Sequence, residues 1–299
     1  MVKKGLYFAL TTAVISGFAI FLNSFAVKKF SDPYFFTFSK NTLVAFLLTG
    51  SLIGLKLRKK LTKLTPKQWL QLVTIGLIGG SLPFLLFFRG LSLATASSAA
   101  FIHKTLFLWV AILAVVFLKE RLNRWQLLAL MVLIVGNFWL VRPRWEFGSG
   151  EFLVLLATEL WAVENILAKI ALRELAAPVV AWGRMFFGII FMGGFLATTG
   201  RLTPLFQLTP QHWWWLLGLA ALLFGYVSFW YAGLKYAPAT LVTSVLVLGS
   251  PLTTLLSAIF VKHSINWQQL LIFALLVLAV VVLVKNFKLS QWPRYSLNR

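Results

Sequence analysis

The chain has 299 residues, 60% hydrophobic and 12% charged, with mean hydropathy +0.87; against roughly 45–50% apolar and about 25% charged in soluble domains, a soluble globule is excluded. Twenty-eight Lys and Arg against seven Asp and Glu give a net charge of +21, and in so apolar a chain that excess belongs to short cytoplasmic loops facing an anionic leaflet, not to a nucleic acid. The absence of cysteine removes disulfides, iron–sulfur clusters and thiol catalysis.

A spanning helix needs about 20 mainly apolar residues. Runs bounded by charges or prolines predict ten, over 5–27, 33–55, 68–88, 95–118, 125–141, 151–171, 178–200, 212–233, 239–261 and 267–284. The first follows Lys3 and Lys4, has no small-residue cleavage site, and reads as a retained helix rather than a leader. It carries Asn23, and the second carries Lys40; an Asn here bridges helices or touches a solute. Gly50-x-x-x-Gly54 in the second span and Gly76-x-x-x-Gly80 in the third predict close helix crossings.

A charge at the bilayer centre costs about 2.5–3.5 kcal/mol on insertion scales, so embedded ionisable residues are functional candidates. In the fourth span His103 and Lys104 are adjacent and point about 100° apart. Lys104 suits a carboxylate or phosphate as a compact cation; His103 is a proton relay or a core histidine. Asn137 in the fifth span is expected to bond between helices.

The sixth span holds Glu159, Trp161, Glu164, Asn165 and Lys169. Five residues apart, Glu159 and Glu164 lie on different faces. Glu159 has two readings, a proton-coupling carboxylate or an ion pair with Lys40 or Arg184. Trp161 could gate a cavity or stack on a ligand. Arg184 in the seventh span lies near a helix end, where snorkelling to the interface competes with a buried role. Trp213, Trp214 and Trp215 form an interfacial belt, while Tyr226, Ser228, Trp230 and Tyr231 could line a cavity.

Lys and Arg concentrate at the N-terminus, in the even-numbered loops and in the tail 285–299, which predicts both termini in the cytoplasm. An internal repeat is visible. Leu64-Thr65-Pro66-Lys67-Gln68-Trp69 recurs as Leu208-Thr209-Pro210-Gln211-His212-Trp213, and Trp125-Gln126 recurs as Trp267-Gln268. Asp32-Pro33 before Lys40 is matched by Ala177-Pro178 before Arg184. The economical division is 1–145 and 146–299, two five-helix repeats of opposite orientation, the second with a short cytoplasmic tail.

In these features the chain resembles the drug/metabolite transporter superfamily, specifically the EamA type. Asn23 with Lys28, and Trp161, Glu164 and Lys169, are similar to the family's helix motifs, with Glu164 where the family usually carries Asn and Asn165 beside it. Leu118-Lys119-Glu120-Arg121-Leu122 is similar to the family's Leu-Gly-Glu-Arg-Leu, whose second copy is lost at Val261-Lys262-His263-Ser264. The resemblance implies an all-α inner-membrane permease with ten transmembrane helices in two inverted repeats, working by alternating access on a small metabolite.

Embedded cations outnumber embedded acids, which tilts the expected solute toward an anion or zwitterion such as an amino acid or organic acid. The expected substrate-binding set is Lys104, Glu159, Trp161, Lys40, His103, Asn23, Glu164, Asn165 and Arg184. Expected partners are that solute, membrane lipid and a coupling proton, in a monomer or homodimer. No cofactor or metal is expected, since no Walker loop, HExxH or Gly-x-Ser-x-Gly occurs. Alternatives are a lipid or lipid-phosphate flippase, a multidrug exporter and, last, an intramembrane enzyme.

Overall fold

The computed structural model describes residues 2–94, 96–141, 147–202, 208–264 and 267–287, all helix and turn. Besides a 3-10 turn at Val27–Lys29 and a one-turn helix at Arg58–Leu61, ten long helical runs follow in chain order: α1 (Val2–Ala26), α2 (Pro33–Gly54), α3 (Pro66–Gly80 then Leu82–Leu93), α4 (Ala96–Lys104 then Leu106–Phe117), α5 (Arg124–Val141), α6 (Ser149–Ala171), α7 (Ala177–Thr198), α8 (Pro210–Tyr236), α9 (Ala239–Leu246, Gly249–Ser257 and a π turn, Ala258–Lys262) and α10 (Trp267–Asn286). Eight runs are long and apolar enough to cross a membrane. The other two are α4, with a shorter apolar stretch Phe101–Phe117, and α6, which carries Glu151, Glu159, Glu164 and Lys169.

Local chemistry sets the helix starts. Asp32 caps α2 by accepting from the Tyr34 amide at 2.8 Å, with Pro33 in the first turn. Thr65 and Gln68 form a capping box on α3, and Thr209 with His212 repeats it on α8, each ahead of a proline. The break in α3 falls at Ser81, two residues before Pro83, because proline cannot continue the hydrogen-bond ladder and clashes with the preceding turn. Breaks of this kind leave the hydrophobic pattern intact, so the sequence shows continuous spans there.

Helix packing obeys an exchange of the first five helices with the last five. α1 lies on α8 as α6 lies on α3; α7 lies on α3 as α2 lies on α8; α6 meets α4 as α1 meets α9. The pairs α2–α7, α4–α9 and α5–α10 are their own counterparts. Along α2 and α7 the Trp182 indole N–H donates to Thr49 Oγ1 at 3.0 Å and the Asn41 amide lies 3.9 Å from Met192 Sδ, which fixes an antiparallel pair. The two repeats therefore interleave, each burying its helices chiefly against the other.

Glycine permits the tightest crossing. A Cβ on Gly80 would strike the Arg184 carbonyl and approach Gly188 Cα at 3.0 Å, and one on Gly76 would strike Phe187. The other expected crossing is absent: Gly50 and Gly54 face open space. Asn137 also departs from expectation, being 1% exposed with both side-chain polar atoms unpartnered.

The α4–α5 turn explains the family-like Leu-Lys-Glu-Arg-Leu. Lys119 stands at φ 58°, in the left-handed region, where the family motif has glycine. Glu120 then accepts from Ala239 N at 2.7 Å and Thr240 N at 3.3 Å, closing the amides that open α9. Its repeat-related turn keeps the geometry without the acid: His263 sits at φ 50° and Ser264 N bonds Ala258 O as Glu120 N bonds Ala114 O. Lys119→Gly should raise stability by about 1 kcal/mol, because glycine takes this conformation without a Cβ penalty. A thermal-unfolding midpoint about 2 °C higher in detergent is the expected reading. Glu120→Ala should cost about 2–4 kcal/mol by stranding two buried amides, with Glu120→Gln intermediate, measured in the same way.

Candidate functional site

The middle of the bundle brings α6, α7 and α8 together beneath the break in α3. Glu164 on α6 is 1% exposed and its Oε1 accepts from the Tyr231 hydroxyl on α8 at 2.5 Å. Arg184 on α7, 7% exposed, donates from Nη2 to the Gly79 carbonyl at 3.1 Å. The Trp161 indole donates to the same carbonyl at 3.0 Å. Gly79 is where glycine is needed, since a Cβ there would overlap the Glu164 side chain and lie 3.3 Å from Arg184 Nε. Behind this layer Asn165 accepts from the Trp230 indole at 3.0 Å, and Tyr226 stacks on Trp230 at 5.9 Å.

Two polar atoms in this centre are unused. Glu164 Oε2 and Arg184 Nε are buried and have no hydrogen-bond partner. The carboxylate and guanidinium interact electrostatically, yet they are not in ion-pair contact. A buried acceptor and a buried donor side by side, each unsatisfied, call for a ligand that supplies both complements. An aromatic wall closes one flank: Trp161 meets Phe84, Phe87 and His103 at 5.3, 5.5 and 4.9 Å.

Of the residues predicted from sequence, Trp161, Glu164, Asn165 and Arg184 converge here, with His103 against Trp161 and its Nδ1 unpartnered. Arg184 does not snorkel; it turns inward to Gly79. Lys104 is buried on the last turn of the first α4 segment and has no hydrogen-bond or ion-pair partner among the described residues. Glu159 is only half-buried and likewise forms no ion pair, so the expected pairing with Lys40 or Arg184 does not occur. Of Glu159 and Glu164, the fully buried acid is Glu164.

Lys40 and Asn23 form a second station, the ammonium donating to Asn23 Oδ1 at 3.1 Å and lying 5.0 Å from the Phe36 ring centre. It repeats the Arg184–Glu164 arrangement in the first half of the chain: a cation on the second helix of the repeat faces a polar residue of the first that stands five positions before a Lys. Lys169 has another task. It donates to the Leu234 and Ala237 carbonyls, the latter at 2.6 Å, while Lys235 donates to Leu172 and Leu175 at 3.1 and 2.7 Å. These reciprocal bonds satisfy carbonyls at the C-terminal end of α8 and in the turn that follows α6.

Tyr231, Trp230, Tyr226 and Gly79 complete the centre, although sequence reading gave the aromatics little weight and missed the glycine. A signal was present. Gly90-Leu-Ser-Leu-Ala-Thr-Ala and Gly233-Leu-Lys-Tyr-Ala-Pro-Ala align as repeat counterparts and set Phe87-Phe88 against Trp230-Tyr231.

At the end of the bundle that holds the α1–α2 turn, Arg201 and Asp32 form an ion pair at 3.0 Å and the His212 ring reaches the Lys29 carbonyl at 2.9 Å. Among the described residues no group of three or more His, Asp or Glu could hold a metal.

The model of the EamA-like transporter family matches residues 3–142 and again 148–285. An uncharacterised transporter of Archaeoglobus fulgidus is 28% identical over 272 residues, covering 88% of this chain and 90% of its own. An uncharacterised transporter of Synechocystis is 26% identical over 250 residues, 78% of this chain and 70% of its own. A solved crystal structure superposes with a TM-score of 0.76 at 16% identity over 95% of this chain and 98% of its own, which shows the fold alone. With the paired matches falling on the two interleaved sets of five helices, the chain belongs to the EamA-like transporter family and is a multi-pass membrane transporter.

Proposed function

We propose that this transporter is a permease of the inner membrane, with both termini cytoplasmic, that carries a small zwitterionic or anionic solute such as an amino acid or organic acid, and that it is a carrier rather than an enzyme. The observation that supports this reading is the unsatisfied pair at the centre, Arg184 Nε and Glu164 Oε2. An amino acid supplies what each lacks: its carboxylate accepts from the guanidinium and its ammonium donates to the carboxylate. Trp161, packed edge-on against Phe84, supplies an apolar wall beside the pair for the rest of the molecule. Lys104, buried without a partner, adds a cation for a second carboxylate. Lys169 is discounted as a ligand, because its charge is spent on helix carbonyls.

The exchange symmetry supports transport by alternating access. Since α6 packs with α3 and α4, and α1 with α8 and α9, the moving units are mixed groups drawn from both repeats, with α2 and α7 between them. The Lys40–Asn23 station is the counterpart of Arg184–Glu164 at the opposite depth. The test is uptake into proteoliposomes of labelled neutral amino acids, dicarboxylates and lipophilic cations at equal concentration. Saturable uptake of the first or second class is expected. Uptake confined to the cations, or lipid scrambling without solute flux, would overturn the assignment.

A further inference from the structure

The end of the bundle that holds Lys4 also holds a recess separate from the central site. A cavity of about 440 Å³ is lined by Lys4 and Phe8 at the start of α1, Lys60 in the segment before α3, Glu174 and 176–178 in the α6–α7 turn, and Ala232, Lys235 and Tyr236 at the end of α8. Its charges do not cancel. Three lysines face one glutamate, and none of them ion-pairs with it. Glu174 instead accepts from the Gln68 side-chain amide at 2.9 Å. Lys235 spends two donors on Leu172 and Leu175, which leaves one N–H, and Lys4 lies 4.7 Å from the Tyr236 ring centre, held on an aromatic face. The Lys60 ammonium has no hydrogen-bond or ion-pair partner among the described residues and sits close enough to Lys235 to repel it.

Topological bias explains why one end of a membrane protein is basic; it does not explain why three ammonium groups converge on one recess with a single, already engaged acid. Like charges so gathered are stabilised by an anion between them. The uncompensated charge is +2, three lysines less Glu174, which equals the charge that a phosphate monoester carries with opposite sign near neutrality, about −1.5 to −2. The volume falls in the range of small-ligand sites, about 300–1,000 Å³. Lysine binds phosphate as a point charge, without the fork geometry that arginine brings to carboxylates.

We propose that this cavity is a phosphate-binding site, distinct from the Glu164–Arg184 centre, in which Lys60, Lys235 and Lys4 hold a phosphate ester. Two sources share that chemistry, a soluble phosphorylated metabolite and the headgroup of an anionic phospholipid. Lys60 and Lys4 are the residues to test, since Lys235 also closes α6.

Purified full-length protein in detergent is titrated calorimetrically with glycerol 3-phosphate, with glycerol as the neutral control; the same protein is melted in phosphatidylglycerol and in phosphatidylcholine nanodiscs. Binding of glycerol 3-phosphate that weakens about tenfold or more in Lys4→Gln/Lys60→Gln, and is unchanged in Glu164→Gln, assigns the site and its soluble source. Absent that binding, a higher melting temperature in phosphatidylglycerol that the double variant loses assigns the site to the lipid headgroup. The proposal is overturned if neither probe distinguishes wild type from the double variant, or if phosphate binding is lost in Glu164→Gln and kept in the lysine variants. Lys60→Arg is expected to bind as wild type does, which separates charge from a local folding defect.

Discussion

Arg184→Gln is expected to lower uptake at least about 100-fold while leaving the amount of folded protein in the membrane unchanged. The guanidinium has two tasks in the structure: Nη2 holds the Gly79 carbonyl at 3.1 Å, and Nε is the buried donor without a partner. A hydrogen bond to a charged group contributes about 1.5–3 kcal/mol, and a buried carboxylate left facing a neutral amide loses more than the bond itself. About 2.8 kcal/mol corresponds to a factor of 100. The fold survives because the Trp161 indole still occupies the Gly79 carbonyl. Glu164→Gln separates two roles for the acid. The Gln side chain keeps an oxygen for Tyr231 but loses the negative charge, so affinity for a solute ammonium falls. If Glu164 also carries the coupling proton, exchange of internal for external solute persists in Glu164→Gln while proton-driven accumulation disappears. Counterflow and gradient-driven uptake in one set of proteoliposomes measure both. Lys104→Ala is expected to weaken dicarboxylates more than neutral amino acids. Wild-type rates in all three variants would remove the central site from the transport path.

The spans were legible because a membrane enforces a simple rule: backbone polar groups must bond within the helix, so a run of about 20 apolar residues has one viable structure. Helix starts were legible too where Asp32, Thr65 and Thr209 precede prolines. Interruptions inside spans were harder to see, since the breaks at Ser81, just before Pro83, and at Thr105 leave hydropathy unchanged. The central site was half legible. Charge in a membrane draws attention to Glu159, Glu164 and Arg184 alike, because helical spacing gives relative direction and no absolute facing. The facing of Glu164 depends on neighbours on other helices: Gly79 on α3 leaves room beside its side chain and Tyr231 on α8 donates to it. Tyr231 carries no charge, and in a chain with 28 Phe and 13 Trp a single aromatic does not stand out. Its importance lies in a hydroxyl aimed at a buried carboxylate, a three-dimensional fact.

The same glycines yield the second large expectation. Gly80→Leu should lower the thermal-unfolding midpoint sharply and abolish transport, whereas Gly54→Leu should be near neutral. At Gly80 the obstacle to a side chain is the backbone of Arg184 and Gly188, which no rotamer change moves aside. Overpacking a well-filled core costs about 1–3 kcal/mol where neighbours can shift, and more when backbone must separate. Here α3 and α7 would part where α3 presents the Gly79 carbonyl to Arg184 and Trp161, so packing and site geometry fail together. At Gly54 nothing lies within 4 Å of an added Cβ, and a leucine there only gains apolar surface at the bilayer. Fluorescence-detected size exclusion after graded heating, run on both variants and wild type, reads the difference without knowledge of the solute. Equal midpoints for Gly80→Leu and wild type would mean that α3 and α7 do not cross at this separation. Gly80→Ala then reports how much of the effect is contact rather than volume: its single methyl already meets the Arg184 carbonyl, so most of the destabilisation is expected with the first carbon added.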